Sequence, residues 1–276
     1  MKKVAIIGLG LIGGSLGLAI KQKKLAEKVL GFPHREQTIA EALSMGAIDE
    51  GSMDLKIGLA EADLIFICTP LSVIIPKLKE ILPYIKPGTI ITDVGSVKED
   101  IVKEAKKIVP KGIKFIGGHP MAGKEKVKLS AAEANLFEGR AYILTGSSKK
   151  LEKIIQRIGG RLIKMKPKQH DQIVAAVSHL PLAVASTLVK AVSSPEGIKD
   201  IQEIASSGFR DTTRIASGDP QLGKDIFTMN QKAVLKQLRN FKKSLKELEQ
   251  MIKKGEGEAV FNYLKQAKDF RDQIFS

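Results

Sequence analysis

The chain has 276 residues, with 43% hydrophobic and 27% charged side chains, which suits a folded protein of about two domains and excludes a disordered chain. One cysteine, Cys68, excludes a disulfide framework and a cysteine-rich zinc site, and we predict no metal site. The net charge of +15 either attracts anionic ligands or merely keeps the protein soluble. With only 3 tyrosines and no tryptophan, the chain lacks the aromatic residues typical of a basic nucleic-acid-binding surface, so we expect no nucleic-acid partner.

The N-terminal segment could be read as a signal peptide, because two lysines precede an apolar run that ends at Ile20. Glycines interrupt this run repeatedly, and no small-residue cleavage site follows it before Lys21. No other stretch has the roughly 20 apolar residues of a membrane span. We therefore expect a cytoplasmic protein without membrane contact.

Short apolar runs alternate with amphipathic helical stretches in the first part of the chain. The predicted strands are Lys3–Ile7, Lys28–Phe32, residues 63–68 and 89–94, Lys114–Ile116, Ala141–Leu144 and residues 161–165. The predicted helices are Leu11–Gln22, residues 36–45 and 73–85, and a stretch that ends near Val109. Such alternation indicates a mostly parallel sheet covered by helices.

A glycine motif of the form G-x-G-x-x-G lies between the first predicted strand and the first predicted helix. In this position the glycines permit a tight turn, bring the backbone close to a pyrophosphate and let helix and sheet pack closely. The free N–H groups at the helix start would then face the phosphates. A glycine-rich turn without a ligand is the alternative. The predicted cofactor-binding residues are Gly8, Leu9, Gly10, Leu11, Ile12 and Gly13.

The end of the second strand decides which dinucleotide binds. NAD sites usually place an acidic residue here to bind the ribose hydroxyls, whereas this chain has Pro33 near that position. Arg35 can clamp a 2′-phosphate with two hydrogen bonds, and His34 can assist it. Together with Phe32, these residues predict an NADP site, with NAD as the less favoured cofactor. Alternatively, Arg35 is a solvated helix start and Glu36 reaches the ribose.

Three further motifs follow predicted strands, where ligands bind in open α/β sheets. Thr69 and Pro70 follow the strand at residues 63–68 and are predicted to contact the cofactor. Ser96 follows the next strand and is either a cap of the following helix or a polar group near the nicotinamide ring. His119 lies between glycines and a proline, and is either a satisfied loop histidine or the partner of Ser96.

The pattern becomes helical after residue 167, with no predicted strand from residue 170 to 276. Residues 174–192 and 224–254 are predicted helices. The second carries an apolar seam with spacings of three and four: Leu238, Phe241, Leu245, Leu248 and Ile252. Such a seam suits a helical partner, from this chain or from a second copy. We predict an α/β Rossmann-type dinucleotide-binding domain, residues 1–167, followed by an all-α C-terminal dimerisation domain, residues 168–276.

Two motifs stand out in the helical half. One is the segment 178–181, which contains His179, and the other is the segment 207–214 with Arg210 and Arg214. Two arginines in a glycine-broken segment suit the binding of a carboxylate, although either could pair with Asp211 or Asp219 for structural reasons.

Taken together, these motifs resemble those of the prephenate/arogenate dehydrogenases of tyrosine biosynthesis over nearly the whole chain. The matching segments are GLGLIGGS, DVGSVK, GGHPMAG, SHLP and SSGFRDTTRIASGDP, in that order. The resemblance implies an enzyme that oxidatively decarboxylates a cyclohexadienol to a phenol, so that prephenate gives 4-hydroxyphenylpyruvate and arogenate gives tyrosine. It also implies a homodimer formed by the helical domain, with the active site between the domains.

The resemblance assigns roles to individual residues. It makes His119 the catalytic histidine that takes the proton of the ring hydroxyl, and Ser96 a group that orients the same region. It places Arg214 on a substrate carboxylate and His179 in the substrate cleft, and Gly223 joins this substrate-binding set.

The sequence departs from the prephenate-using branch at two positions. Leu182 stands where that branch often has a second histidine, and Gly223 occupies a region that can carry a tryptophan. With Arg35, these departures favour an NADP-dependent enzyme that prefers arogenate, because loss of a donor would weaken the binding of a keto acid. The alternatives are a prephenate dehydrogenase that uses NAD or NADP and, more distantly, a β-hydroxyacid dehydrogenase or a dinucleotide-binding protein without catalysis.

Overall fold

The computed structural model describes residues 1–124, 128–193 and 198–275. The chain forms two compact units, Met1–Asn230 and Gln231–Ser276. The first unit contains all the strands of the described residues, and the second unit is helical.

A six-stranded parallel sheet, with strand order β3-β2-β1-β4-β5-β6, forms the centre of the first unit. Its strands are β1 (Lys3–Ile7), β2 (Lys28–Phe32), β3 (Glu50–Gly51), β4 (Leu64–Ile67), β5 (Ile90–Asp93) and β6 (Lys114–Ile116). In β1, Val4 and Ile6 pack into one buried cluster, whereas Ala5 and Ile7 pack into another on the opposite face. Both faces are therefore covered, which explains why these strands read as unbroken apolar runs.

The helices that cover the sheet are α1 (Leu11–Gln22), α2 (Glu36–Ser44), α3 (Ile74–Ile81), α4 (Glu99–Ile108) and α5 (Lys149–Arg157). The helix predicted at residues 73–85 is shorter in the structure, because 3₁₀ turns at Leu71–Val73 and Leu82–Tyr84 flank it. Pro76 lies in its first turn, where the missing N–H has no intrahelical partner to lose.

A second, three-stranded sheet consists of β7 (Gly118–Pro120), β8 (Ala141–Leu144) and β9 (Arg161–Lys164). β7 runs antiparallel to β8 and places His119 opposite Ile143, so the alternative of a loop histidine does not hold. Glycine and proline have low strand propensity, and β7 forms because β8 supplies the pairing partner. The two-residue strand β3 is likewise too short to be seen as a pattern.

One continuous helical stretch, Pro167–Val192, follows the second sheet. It comprises α6 (Pro167–Val174), a π-helical turn (Ala175–His179) and α7 (Leu180–Val192). Its most apolar window of 18 residues has a mean hydropathy of 1.6, so the 26-residue helix is long and apolar enough to cross a membrane by length and composition. It nevertheless carries the buried residues His170 and Asp171, which bond to the α/β part of the unit, as a helix packed in a folded domain does.

The remaining helices are α8 (Ile198–Ile204), α9 (Ser207–Thr213), α10 (Pro220–Met229), α11 (Gln231–Lys254) and α12 (Gly257–Phe275). No strand follows β9 among the described residues, as predicted. The single helix predicted at residues 224–254 is divided between α10 and α11, because Asn230 has φ of −105° and ψ of 30° and its side chain bonds outside its own helix. Within the second unit α11 packs against α12, yet Phe241, Leu245 and Ile252 of the seam remain 36%, 53% and 63% exposed.

Candidate active site

The glycine motif lies where the connections from β1 and β4 leave the sheet in opposite directions, which is the point at which open α/β sheets bind ligands. Gly8 has a φ of +92°, and a Cβ there would lie 2.6 Å from the carbonyl oxygen of Cys68. A Cβ on Gly13 would lie 2.0 Å from the Gly8 carbonyl oxygen, so neither position accepts a side chain. The N-cap of α1, Gly10, offers no side chain to its N–H groups, which leaves them for a pyrophosphate.

The side chains of the motif are directed mostly inward. Leu9 and Leu11 are buried in the core cluster beside β1, and Ile12 packs against the same cluster. These three residues would therefore approach a dinucleotide through their backbone atoms. The cradle of glycines and free N–H groups fits the pyrophosphate of such a cofactor.

The segment after β2 places His34 and Arg35 at the same edge of the sheet. Phe32 ends β2 in the core, and its carbonyl oxygen accepts a hydrogen bond of 2.9 Å from the N–H of Gly8. His34 and Arg35 are exposed, and Arg35 is the N-cap of α2 without using its side chain as a cap. Glu36, the alternative ribose ligand, is also exposed at the start of α2.

Two buried hydroxyl groups at this edge lack a hydrogen-bond partner among the described residues. They are the Oγ1 of Thr69, which follows β4, and the Oγ of Ser96, which follows β5. Pro70, next to Thr69, is exposed. Because a buried hydroxyl without a partner costs about 1–3 kcal/mol, both groups suit contact with a ligand. The alternative role of Ser96 as the cap of α4 is not seen, since no side chain of that segment caps the helix.

A buried ion pair occupies the end of β5. The ammonium of Lys98 contacts the carboxylate of Asp93, and both side chains are fully buried. Burial lowers the pKa of Lys98, and Asp93 opposes this shift. The other carboxylate oxygen of Asp93 accepts a hydrogen bond of 3.1 Å from the N–H of Gly118. The pair therefore holds β7, and with it His119, against the end of β5.

His119 is part of a chain of three buried side chains. Its Nδ1 lies 2.8 Å from Nε2 of His170, and Nδ1 of His170 lies 2.7 Å from Oδ1 of Asp171. The carboxylate of Asp171 also accepts the backbone N–H groups of Lys98 at 2.7 Å and Glu99 at 2.8 Å, at the start of α4. Helix α6 thus joins the histidine to the segment that carries Ser96.

This chain fixes the position of the proton on His119. An ionised carboxylate only accepts, so Nδ1 of His170 carries a hydrogen, and in the neutral ring its Nε2 is bare. Nδ1 of His119 then donates to His170, and Nε2 of neutral His119 is left without a proton. Burial lowers the pKa of His119 well below its ordinary value, and His170 and Lys98 act in the same direction. The geometry therefore presents a neutral imidazole whose free nitrogen can accept a proton.

His179 lies in the π-helical turn, a feature that often marks functional sites. The side-chain amide nitrogen of Asn230 donates to the backbone oxygen of Asp171 at 2.8 Å and lies 3.1 Å from Nδ1 of His179. Since Nδ1 of His179 accepts, its proton is on Nε2, which is buried and has no partner among the described residues. Burial lowers the pKa of His179 to about 4. This side chain therefore offers an unused donor.

The other predicted substrate residues lie on the helices after β9. Arg214 is exposed and begins the 3₁₀ turn Arg214–Ser217, which packs against α7. Arg210 is exposed beside Asp211, with the two side chains 3.3 Å apart. A Cβ on Gly223 of α10 would lie 3.7 Å from a methyl group of Leu182, so the two positions singled out in the sequence are neighbours.

Four residues of this network were not given a role by the sequence: Lys98, His170, Asp171 and Asn230. A His-Asp pair at the start of an otherwise apolar helix was a visible signal for His170 and Asp171, since adjacent ionisable groups in such a helix need partners. Asn230 gave no signal, because its importance depends on which segments fold against it.

Two family models match the chain. One, described as the nucleotide-binding domain of prephenate dehydrogenase, matches residues 16–168, and the other, described as its dimerization domain, matches residues 166–266. The prephenate dehydrogenase of Lactococcus lactis subsp. cremoris is 38% identical over 279 residues, which cover 99% of this chain and 78% of that protein.

Two solved structures are similar over the whole chain. Synechocystis arogenate dehydrogenase is 34% identical with a TM-score of 0.82 and 99% of both chains covered. Prephenate dehydrogenase from Aquifex aeolicus, in complex with hydroxyphenyl propionate and NAD⁺, is 34% identical with a TM-score of 0.91, covering 99% of this chain and 98% of that chain.

Proposed function

The chain belongs to the prephenate dehydrogenase family, and from this premise we propose that it converts arogenate to tyrosine by oxidative decarboxylation, with NADP as the hydride acceptor. Membership makes it a dehydrogenase of the prephenate/arogenate type that uses a nicotinamide dinucleotide. The observation that carries the proposed chemistry is the buried chain of His119, His170 and Asp171, which leaves one nitrogen of His119 as a base.

His119 acts as the general base. Its bare Nε2 accepts the proton of the ring hydroxyl, for which a neutral imidazole is suited at neutral pH. The bound nicotinamide ring supplies the acceptor for the hydride that leaves the same ring carbon. Loss of the ring carboxylate as CO₂ leaves an aromatic ring, so the protein needs mainly to position the substrate and to remove the proton.

His170 and Asp171 hold the ring of His119 in one orientation and keep the proton on its Nδ1. After proton uptake, Nδ1 of His119 still donates to His170, whose own N–H donates to the carboxylate of Asp171. A carboxylate at the end of such a chain fixes the tautomer and the orientation of the ring without becoming protonated itself. Both residues are therefore proposed to be positioning residues.

Ser96, His179 and Arg214 are proposed to bind substrate oxygens. The hydroxyl of Ser96 and the Nε2–H of His179 are buried groups whose hydrogen-bonding capacity no described residue uses. A substrate hydroxyl or carboxylate would remove the cost of about 1–3 kcal/mol that each such group carries. We assign Ser96 to the ring hydroxyl beside His119, His179 to a substrate oxygen and Arg214 to a carboxylate, which a guanidinium binds with two parallel hydrogen bonds.

The preference for arogenate is supported by Leu182 and Gly223. Leu182 contributes a methyl group close to Gly223, and neither side chain can donate a hydrogen bond to a keto group. A site that lacks such a donor loses little substrate-binding free energy when the keto group is replaced by an ammonium group. The similar proteins include enzymes named for each substrate, since the Synechocystis protein is an arogenate dehydrogenase and the Lactococcus protein is a prephenate dehydrogenase. Prephenate is accordingly the alternative substrate.

The preference for NADP is supported by His34 and Arg35. Both side chains are exposed directly after β2, where a 2′-phosphate would lie, and Pro33 stands near the position of the usual acid. The Aquifex relative was crystallised with NAD⁺, which makes NAD the alternative cofactor.

We also propose a cytoplasmic homodimer, with the domain boundary at residues 167 and 168 and no nucleic-acid or membrane partner. The dimer is supported by the dimerization-domain model and by the exposed apolar side chains of α11.

The test is a matrix of initial rates that crosses NADP and NAD with arogenate and prephenate, for the wild type and for Arg35→Ala. We expect the highest kcat/KM with NADP and arogenate, and we expect Arg35→Ala to raise the KM for NADP at least about 10-fold while leaving the KM for NAD within roughly twofold.

Equal or better use of prephenate would overturn the substrate preference and keep the family chemistry. An unchanged KM for NADP in Arg35→Ala would overturn the cofactor proposal. No turnover in any combination would favour a dinucleotide-binding protein without catalysis.

A further inference from the structure

Two aspartates from the helices after β9 reach the amino ends of two helices of the α/β sheet. Asp171 of α6 accepts the N–H groups of Lys98 and Glu99 at the start of α4. Asp225 of α10 accepts the N–H of Ser72 in the turn that leads into α3. No side chain within either helix start serves as its cap, so both caps come from a distant part of the chain. Helices α3 and α4 follow the neighbouring strands β4 and β5 at the ligand-binding edge.

Asp225 binds Ser72 through two hydrogen bonds. One oxygen of its carboxylate accepts the N–H of Ser72 at 3.2 Å and the hydroxyl of Ser72 at 2.7 Å. The other oxygen accepts the side-chain amide of Gln221 at 2.8 Å. Burial raises the pKa of Asp225, but the hydrogen bonds from Ser72 and Gln221 outweigh it and lower the pKa overall. The carboxylate is therefore ionised at neutral pH and holds the turn with charge-assisted bonds.

The turn that Asp225 holds is the one that carries Thr69. Ser72 follows Thr69 by three residues, and the N–H of Val73 bonds to the carbonyl oxygen of Pro70 at 2.9 Å, which closes the turn. Ile226, next to Asp225, packs in the same buried cluster as Leu71. The polar and apolar contacts of α10 thus act together on the few residues between β4 and α3.

The far end of α10 contacts the substrate side of the site. Asn230 follows α10 and bonds to the backbone oxygen of Asp171 and to His179. One helix of ten residues therefore connects the turn beside Thr69 with the histidines.

We propose that Asp225 is a positioning residue for the dinucleotide: it fixes the Thr69 turn in its binding conformation and links that turn, through α10, to His179. The inference rests on the proposed function only in taking the edge beside Thr69 as the dinucleotide site. Without Asp225, the turn must be ordered when the dinucleotide binds, and that ordering weakens binding.

The test measures the Kd of NADPH and of NADH from their fluorescence, together with kcat at saturating cofactor, in full-length variants. We expect Asp225→Ala to raise the Kd about 10- to 30-fold, since two hydrogen bonds to a charged group are lost. Asp225→Asn keeps an oxygen for Ser72 and should raise the Kd roughly 2- to 5-fold, and Ser72→Ala roughly 3- to 10-fold. The double variant Ser72→Ala/Asp225→Ala should bind no more weakly than Asp225→Ala, because the two residues act as one contact.

The matched control is Thr228→Ala on the same helix. Thr228 is exposed, and among the described residues its hydroxyl bonds only to carbonyl oxygens of its own helix. The Kd of this variant for NADPH and NADH should therefore stay within roughly twofold of the wild-type value. If Asp225 were a purely structural cap, its replacement would lower Tm and leave the Kd unchanged. Wild-type Kd values in Ser72→Ala and Asp225→Asn would overturn the proposal, even if Asp225→Ala failed to fold.

The same measurements separate this proposal from the proposed function. A wild type that binds NADPH or NADH without turning over either substrate would contradict the proposed function, while the Kd series would still decide the role of Asp225. A wild type that binds neither reduced dinucleotide would overturn both.

Discussion

His119 can act as a base only in the tautomer whose Nε2 lacks a proton, and residues distant from the substrate determine that tautomer. The carboxylate of Asp171 fixes the proton on His170, and His170 in turn fixes the proton on His119. The two backbone N–H groups at the start of α4 keep Asp171 in place. The orientation of one imidazole therefore depends on contacts between α4 and α6.

Replacement of His119 tests its role as the base. An asparagine has a similar polar size but cannot take up a proton, so we expect His119→Asn to lower kcat by roughly 10²- to 10⁴-fold. The dinucleotide site is built from other residues, so the Kd of NADPH should stay within roughly threefold of the wild type. Steady-state rates and NADPH fluorescence on the same preparation measure both quantities. Turnover near that of the wild type would remove His119 from the mechanism.

His179 makes stability depend on pH. Burial lowers its pKa from 6.5 to about 4, so the unfolded chain binds this proton more tightly than the folded chain. The contribution of neutral His179 is fully present above the unfolded pKa and is lost as the pH falls from 6.5 towards 4, with a total of roughly 3 kcal/mol. The pKa of His119 is shifted in the same direction and adds to this loss.

Urea unfolding of the wild type and of His179→Asn at about pH 7.5 and about pH 4.5 measures this contribution. We expect the variant to lose less free energy of unfolding than the wild type over this interval, because one of the protons no longer binds. Equal losses in the two proteins would show that His179 is not held neutral by the fold.

Among the elements, β7 depends on a glycine. A Cβ at Gly118 would lie 2.6 Å from the backbone oxygen of Asp93 and 2.8 Å from the hydroxyl of Thr92. We expect Gly118→Ala to displace β7 from the end of β5, with a loss of about 1–3 kcal/mol in the free energy of unfolding. Because His119 is the next residue, kcat should fall as well.

The matched control is Gly123→Ala, since a Cβ at Gly123 meets no atom within 4 Å. Differential scanning calorimetry of the two variants compares them directly, and we expect a lower Tm for Gly118→Ala alone. Similar Tm values for both variants and the wild type would contradict the close approach of β7 to β5.

Some strands and helix boundaries could be predicted from local sequence patterns, and others could not. Regular apolar runs such as Lys3–Ile7 predicted the strands of the parallel sheet, since burial on both faces leaves a pattern that local residues reveal. β7 has no such pattern, because its pairing with β8 depends on a chain segment 20 or more residues away. The break at Asn230 likewise depends on a bond to Asp171, 59 residues earlier in the chain.

The residues of the candidate site also form two groups, those with a local sequence motif and those without one. Gly8, Ser96 and His119 lie in compact motifs whose spacing along the chain points to their chemistry, and the structure places them at one edge of the sheet. His170, Asp171 and Asn230 act through contacts between separate helices and the α/β part. Groups that lie in a compact sequence motif can therefore be predicted more readily than groups that act through contacts between distant segments.

At the scale of the whole molecule, the second unit exposes an unusual amount of apolar surface. Phe241, Leu245 and Ile252 of α11 are 36%, 53% and 63% exposed, and Phe261 and Phe270 of α12 are 60% and 65% exposed. Apolar side chains of this number on a two-helix unit mark an interaction surface. This surface supports the proposed homodimer, since the family model that matches residues 166–266 is described as a dimerization domain.

A charge in the seam of α11 tests this dimer. We expect Leu245→Lys to shift the protein from dimer to monomer at micromolar concentrations, because a lysine at a seam position that the proposed dimer buries loses apolar contact and must be desolvated. Gln250→Lys places the same charge on a different face of the helix and serves as the control, which should remain dimeric. Size-exclusion chromatography with light scattering gives the mass of each, and circular dichroism checks that α11 stays helical. A Leu245→Lys protein with the dimer mass would show that this face of α11 does not join the two copies.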